Sequence, residues 1–344
     1  GTTVNPIEWM DNNPVTNKKY KVLSVLFAEV TPIENMTYRV QFGADYTHST
    51  GFMQSFPSYQ LNNGLGVAGR QSNDILNLTV TNTLNYRFDV RHDHHFNVMV
   101  GQEGVDYQAE GFNVTTRGQN NDFLTNVTSG TRASSWQDNT TAYSFLSFFG
   151  RAEYNYDDRY YVELGLRTDA SSRFGKEASE GIKFAGVKWG LFPSVQLGWL
   201  MSSEKWFNVK GIDYLKLTAG YEESGNDNVD YYAARTYFRN LRFMKEATAL
   251  KLANIQNPTI QWETNHRFNV GLQTNLLNNR LALGVEYFYG KTTNLLTRKP
   301  VSDITGLPYM WANDGALKNS GVEANVNAVL VNTRNWKWEA GFSV

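Results

Sequence analysis

Residues 281–290 read Leu281-Ala282-Leu283-Gly284-Val285-Glu286-Tyr287-Phe288-Tyr289-Gly290. Every second side chain (Leu281, Leu283, Val285, Tyr287, Tyr289) is large and apolar, and Ala282, Gly284, Glu286 and Gly290 between them are small or charged. A period of two marks an extended strand with unlike faces, because successive side chains point to opposite sides of a sheet. The apolar row here closes in tyrosines.

The same alternation recurs along the chain. Tyr38, Val40, Phe42, Ala44 and Tyr46 form one apolar row, and Leu76, Leu78, Val80, Leu84, Tyr86 and Phe88 another. Tyr160, Val162, Leu164 and Leu166 alternate with Glu163, Gly165 and Arg167; Leu215, Leu217, Ala219 and Tyr221 alternate with Lys216, Thr218, Gly220 and Glu222. The pattern predicts about twelve strands, near 19–30, 36–48, 75–89, 95–110, 141–156, 159–171, 187–201, 213–224, 259–275, 280–292, 316–330 and 336–344. A soluble sandwich also alternates, but its strands usually run about 5–6 residues. Runs of about 10–16 residues suit a tilted membrane span, which needs about 9–11.

The predicted connections sort by length. Short ones (31–35, 89–94, 157–158, 201–212, 277–279, 331–335) alternate with long ones (49–74, 111–140, 172–186, 225–258, 293–315). Such sorting implies hairpins with two inequivalent ends, as in barrels with short periplasmic turns and long external loops. Aromatics cluster near strand ends, at Tyr154 and Tyr156, Trp189 and Phe192, Trp199 and Trp206, Trp262, Tyr287 and Tyr289, and Trp336 and Trp338. Interfacial girdles have this placement; aromatic core residues of a sandwich are the plainer reading.

Composition agrees. Aromatics make up 14% of the 344 residues, with 28 Gly and only 8 Pro, a strand-and-turn balance. The net charge of −1 gives no footprint for nucleic acid. The absence of cysteine excludes disulfides, thiolate metal sites and a cysteine nucleophile. Mean hydropathy is −0.46 and no apolar run reaches the about 18 residues of a membrane helix, which says nothing against a barrel whose faces alternate. Gly1-Thr2-Thr3 does not open a signal peptide, and Val344 falls inside a strand pattern, so both ends are expected to be cuts in a longer protein.

Several blocks, taken in order, resemble the SusC/RagA family of TonB-dependent outer-membrane transporters. Phe149-Gly150-Arg151-Ala152-Glu153-Tyr154 through Asp157-Asp158-Arg159-Tyr160 is similar to a hairpin of that barrel. Arg167-Thr168-Asp169-Ala170-Ser171-Ser172-Arg173-Phe174-Gly175, Trp189-Gly190-Leu191-Phe192-Pro193-Ser194 and Leu215-Lys216-Leu217 through Gly225-Asn226 follow in family order. Asn257-Pro258-Thr259-Ile260-Gln261-Trp262-Glu263 and Asn313-Asp314-Gly315 through Asn319-Ser320-Gly321-Val322-Glu323 continue it, and Gly101-Gln102-Glu103 precedes it. The resemblance spans nearly the whole chain.

The expected fold is therefore all-β, a partial antiparallel transmembrane β-barrel with about 12 of the family's about 22 strands. The plug domain, N-terminal extension and signal peptide are expected to lie outside residues 1–344. The resemblance implies active import of glycans or peptides across the outer membrane. Its implied partners are a SusD-like surface lipoprotein, outer-membrane lipid, and the TonB complex acting through the missing plug. A passive porin or structural barrel is the alternative on fold alone, and a soluble carbohydrate-binding β-protein is another. No enzyme activity, cofactor or metal is expected.

The charged blocks read as structural. Arg167, Asp169 and Arg173 sit where a strand leaves for a long loop; Phe192-Pro193 suggests a bulge or bend, and Asn319-Ser320-Gly321 a turn into a strand. Gly64-Leu65-Gly66-Val67-Ala68-Gly69 matches G-x-G-x-x-G but lacks the strand before and helix after that a dinucleotide site needs, so it reads as an external loop. His92, His94 and His95 beside Asp93 read as a solvated turn before a metal site. Asn113-Val114-Thr115 and Asn126-Val127-Thr128 are chance triplets of an Asn/Thr-rich chain. For contact with substrate or lid, the candidates are loop residues on a rigid scaffold: Tyr231, Tyr232, Arg235, Tyr237 and Arg239, with Phe238 and Arg242 nearby, and Trp136. Ordinary loop packing is the alternative for each.

Overall fold

The computed structural model describes residues 4–175, 177–178, 181–243 and 247–344, with the backbone alone at 242–243 and 247–248. A short helix, α1 (Pro6–Asn12), comes first, followed by β1 (Val15–Ile33), β2 (Met36–Ser55), β3 (Gly66–Val90), β4 (His94–Gln119), β5 (Arg132–Tyr156) and β6 (Tyr160–Ser171). Then come β7 (Ile182–Phe184), β8 (Val187–Leu200), β9 (Ile212–Asn226), β10 (Tyr237–Phe243), β11 (Ala247–Asn254) and β12 (Glu263–Leu276). The chain ends through β13 (Leu281–Thr293), β14 (Leu296–Pro300), β15 (Tyr309–Asn313), β16 (Leu317–Asn332) and β17 (Lys337–Ser343).

The principal sheet is an antiparallel meander in the order β1-β2-β3-β4-β5-β6-β8-β9-β12-β13-β16-β17, with β7 paired to β8 alone. The path runs from β1 to β17 and does not close. These are the strands that the alternation predicts. The short hairpins are tight because turn residues accept left-handed backbone: Asp157 and Asp158 have φ of 52° and 51°, the handedness that matches strand twist. The strands skipped by the meander, β10 with β11 and β14 with β15, form two separate hairpins within the long connections.

Four expectations are corrected. The stretches 49–74 and 111–140 are largely strand: β2 continues to Ser55, β3 starts at Gly66, β4 reaches Gln119 and β5 starts at Arg132. Their extensions are rich in polar residues and glycine, with apolar residues such as Phe52, Met53, Val67, Phe112 and Trp136 only scattered among them, so period-2 contrast fades while backbone pairing persists. The same cause moves Gly66-Val67-Ala68-Gly69 out of a loop and into β3. Asn319-Ser320-Gly321 lies within β16, not in a turn. Pro193 makes no bulge against β6, where Leu166 pairs it in unbroken register; instead the β8–β9 pairing stops beside it, at Ser194 opposite Glu222. The helix α1 was not anticipated, although Asn5 caps it by accepting from the Ile7 amide at 3.0 Å and Pro6 opens its first turn.

The chain forms two compact units. One comprises Gly1–Ala28, Gln41–Val80 and Gly104–Ser144. Within it Lys21 pairs Asp45 at 2.8 Å, His48 meets Asp74 at 2.8 Å, and Arg70 lies 4.1 Å above the Phe52 ring. The other comprises Glu29–Val40, Thr81–Glu103 and Phe145–Val344. Its register fixes the faces. Leu272 lies opposite Leu217 and Val285, Val270 opposite Ala219 and Tyr287, Phe268 opposite Tyr221 and Tyr289, and His266 opposite Glu223 and Lys291. Opposed residues share a face. Leu272, Val285, Tyr287, Phe268, Tyr221 and Tyr289 are all exposed, as are Leu164, Leu166 and Leu197. A soluble protein would bury such a face; a barrel wall turns it to lipid.

Candidate functional site

The polar face of the second unit is held by charge. On β6, Arg167 donates through Nη2 to Glu103 at 3.1 Å and to the hydroxyl of Ser147 at 2.7 Å, and through Nε to Asp169 at 2.8 Å. Its guanidinium also lies 5.5 Å from the Phe149 ring. Ser147 and Asp169 are buried and Glu103 is partly exposed, so Arg167 neutralises one carboxylate out of reach of water and a second at its edge. Phe149 can lie flat there because Gly101 offers no Cβ; a methyl group at that position would collide with the ring. Further along the face, Asn85 donates to Asn97 and Asn97 to Glu153, each at 2.8 Å. Lys216 sits 5.1 Å over Tyr161. These contacts span β3 to β5 and β6 to β9, so the inner surface carries a polar lattice across these strands.

Two aromatic belts bound the apolar face. At the short-turn end the rings run strand to strand: Phe88 to Phe96 at 4.9 Å, Phe96 to Tyr154 at 4.8 Å, Tyr156 to Tyr160 at 6.1 Å, Tyr160 to Trp199 at 6.3 Å and Trp199 to Trp206 at 6.3 Å. At the other end Tyr221, Phe268 and Tyr289 form a row, followed at once by the charged row Glu223, His266 and Lys291. The expected girdle residues Tyr154, Tyr156, Trp199, Tyr287 and Tyr289 lie on this face, and Trp206 packs against Trp199 from the 201–211 connection. Phe192, Trp262 and Trp189 do not serve as an exposed girdle: all three are buried. The Trp262 ring packs with Phe174 at 4.8 Å, Phe192 at 5.5 Å and Phe145 at 5.9 Å.

That aromatic knot is where the sequence blocks meet. Asn226 donates to Glu263 at 3.2 Å, the Leu296 amide donates to the same carboxylate at 3.1 Å, and Asn257 donates to the Trp311 carbonyl at 2.8 Å. Blocks separated by tens of residues thus hold one another at the long-loop end of β6, β8, β9 and β12.

The long loops above it are folded. Val229, Ala233, Ile260 and Trp311 form a buried core, with Phe174, Ala234 and Leu296 packed against it. Trp311 donates through its indole N–H to Asp230 at 2.7 Å. Asn254 donates to three carbonyls, those of Tyr232 and Ala233 at 3.2 Å and of Arg235 at 2.7 Å. Neither Trp311 nor Asn254 was singled out in the sequence, because a loop core has no periodicity to reveal it.

The predicted contact residues divide accordingly. Tyr231 is half-buried under the Arg173 guanidinium, 4.9 Å away, and Arg173 in turn bonds the Asp227 carbonyl at 3.0 Å. Tyr232 meets Tyr237 edge-on at 6.0 Å. Arg235, Tyr237 and Arg239 are exposed, the last two on β10. Partial desolvation and the nearby Asp230 carboxylate raise the Tyr237 phenol above its ordinary value. The Arg242 side chain lies outside the described residues. Trp136, expected in a loop, is exposed on β5 in the first unit.

At the opposite end the 201–211 connection is pinned by Glu204, which accepts from the Tyr160 hydroxyl, from the Trp199 indole at 3.0 Å and from Arg159 at 3.2 Å. The Tyr160 and Trp199 hydrogen bonds, then Arg159, hold its carboxyl below the usual glutamate range. Nearby, His94 meets the Tyr154 hydroxyl at 2.8 Å and His95 meets Asp89 at 2.7 Å.

An antiparallel sheet with an apolar outer face between aromatic belts, a charged inner face, short turns at one end and folded loops at the other defines the wall of an outer-membrane β-barrel. The chain belongs to the TonB dependent receptor-like, beta-barrel family, which matches residues 6–344. It is 28% identical to TonB-dependent receptor P26 of Formosa agariphila over 98% of this chain and 34% of that protein. It is also 28% identical to TonB-dependent receptor SusC of Bacteroides thetaiotaomicron over 72% of this chain and 24% of that protein. In fold it is similar to the RagAB peptide transporter, with a TM-score of 0.88 and 24% identity over 97% of this chain and 37% of that chain. The chain spans about a third of the length of P26. The SusC/RagA resemblance and the outer-membrane location read from the sequence both stand.

Proposed function

We propose that this chain supplies lumen wall and outer loops to a TonB-dependent importer of large nutrients, glycans or peptides. In this reading a plug and energy-coupling segment lie outside these residues, and a SusD-like surface lipoprotein closes over the loops. The observation that carries it is the polar lattice from Asn85 to Lys216 on the inner face, in a chain that belongs to this receptor family. A hydrated, charge-balanced wall passes polar solutes. The likeness in fold to a peptide transporter supports peptides within that cargo class. Tyr231, Tyr232, Arg235, Tyr237, Arg239 and Trp136 are the contact residues in this reading: aromatic faces stack on sugar rings or peptide side chains, and arginines engage carboxylates.

The test is recovery of the native complex from outer membranes in detergent, with mass spectrometry of every co-purifying chain, alongside uptake by cells carrying Tyr231→Ala/Tyr232→Ala. A stoichiometric lipoprotein, plug peptides on the same chain and impaired uptake are expected. A barrel recovered alone, without plug sequence, overturns the active importer in favour of a passive pore. Unchanged uptake and lid association remove the tyrosines from the contact surface.

A further inference from the structure

Beside Pro193 the sheet forks. β8 and β9 pair only up to Ser194 opposite Glu222, while β9 continues against β12 as far as Asn226. Proline brings no amide hydrogen to that ladder, so the separation begins where a donor is missing. The fork holds a cavity of about 220 Å³. Its polar lining is Glu223, Gln261, Thr264, His266 and Thr293, with the Trp262 and Phe192 rings at the back and Leu191 toward the lipid side.

We propose that this fork binds a single neutral, hydroxyl-rich ring, the size of one sugar, at the level of the outer-leaflet headgroups. Three observations support it. The first is depth: Glu223 and His266 stand one row beyond the Tyr221, Phe268 and Tyr289 belt, on the same outward face. Such a row lies among headgroups. The second is chemistry. The lining holds a carboxylate and an imidazole paired at 3.2 Å, with the Thr264 and Thr293 hydroxyls beside an indole. The second carboxylate oxygen and the hydroxyls suit alternating sugar hydroxyls, while the ring suits the apolar C–H face of a sugar. A phosphate would find no lysine or arginine in the lining, Lys291 of the same row lying outside it, and would meet the Glu223 carboxylate. The third is preorganisation. His266 is held at 3.2 Å by the Tyr221 hydroxyl and at 3.4 Å by that of Thr293, and the Gln261 backbone is clamped by Asn313 at 2.9 Å in both directions. The volume is below the about 300–1,000 Å³ of a drug-sized pocket, which limits the occupant to one ring.

The sugar could come from a membrane glycolipid or from soluble glycan, and the experiment separates them. Full-length receptor, stripped of lipid by detergent exchange, is titrated with a glucosyl diacylglycerol, the same diacylglycerol without glucose, and methyl glucoside, with bound species read by native mass spectrometry. The glucosylated lipid is expected to bind and the sugar-free lipid not to. The double substitution Glu223→Ala/His266→Ala is expected to weaken binding about tenfold or more. Leu191→Trp, which narrows the mouth without removing a polar group, is expected to do the same if the double variant fails to fold. Competition by methyl glucoside assigns the site to soluble sugar; its absence assigns it to glycolipid. Equal binding of the sugar-free lipid, or undiminished binding in a folded variant, overturns the proposal. Nutrient uptake is a separate readout, so this site and the importer reading can fail independently.

Discussion

Arg167 shows how one side chain can set the local chemistry of a barrel wall. It answers Glu103 and Asp169 together, and Asp169 is buried. Replacing it by leucine strands two carboxylates. Arg167→Leu is expected to cost about 2 kcal/mol, less than the about 3–5 for a fully buried pair because the arginine side chain is 38% exposed. The urea midpoint of the full-length receptor refolded into vesicles measures this; an unchanged midpoint would sink the assignment. Arg167 and Asp169 were legible in the sequence as alternating charges on a polar face. Their partners were not. Nothing local marks Ser147, and Glu103 reads only as a block landmark, because strand register, which joins residues distant in the chain, is absent from any local pattern.

At the level of elements, the fork and the turns carry the tests. A Cβ at Gly225 would collide with the Phe192 ring. Gly225→Ala is therefore expected to destabilise by about 1–3 kcal/mol. Adding Phe192→Leu should recover part of that loss, with a coupling above about 0.5 kcal/mol in a double-mutant cycle; strict additivity would show that the two do not touch. The Glu204 connection gives a pH dependence. Its carboxyl is depressed below the ordinary glutamate value of 4.5 by the Tyr160 and Trp199 bonds and by Arg159. Folding holds the charged form, so this contribution is complete above pH 4.5 and is lost as pH falls through the lower folded value. Protection from hydrogen exchange across 201–211, taken relative to the intrinsic rate at each pH, is expected to fall below about pH 4.5, and Glu204→Gln to abolish that dependence. The twelve strands of the meander were legible, because one face must be apolar from belt to belt. The β3, β4 and β5 extensions were not: once neither face meets lipid, nothing compels alternation, and only pairing remains. The hairpins β10–β11 and β14–β15 escaped for the same reason.

The whole molecule is organised by two solvents. On β6 the outward row from Tyr160 to Thr168 covers eight steps of a tilted strand, about 20 Å along the membrane normal. That is close to the about 25 Å apolar band of such barrels. Val285 lies within the band on β13 and Glu286 on the opposite face. Val285→Arg is expected to cost about 2–4 kcal/mol in vesicle refolding, and Glu286→Arg under about 1 kcal/mol. Equal costs would mean that the faces are wrongly assigned. The loop core bears on how the protein is made. Val229, Ala233, Ile260 and Trp311 come from the connections following β9 and β13, on the far side of the bilayer from the site of synthesis. They cannot be buried together until both hairpins have been threaded across. Their packing is therefore a late step of biogenesis, a knot tied after the thread is through, and it opposes retreat of either hairpin. Trp311→Ala is expected to leave insertion proceeding but to prolong protease sensitivity of the 227–262 segment in pulse-chase assembly.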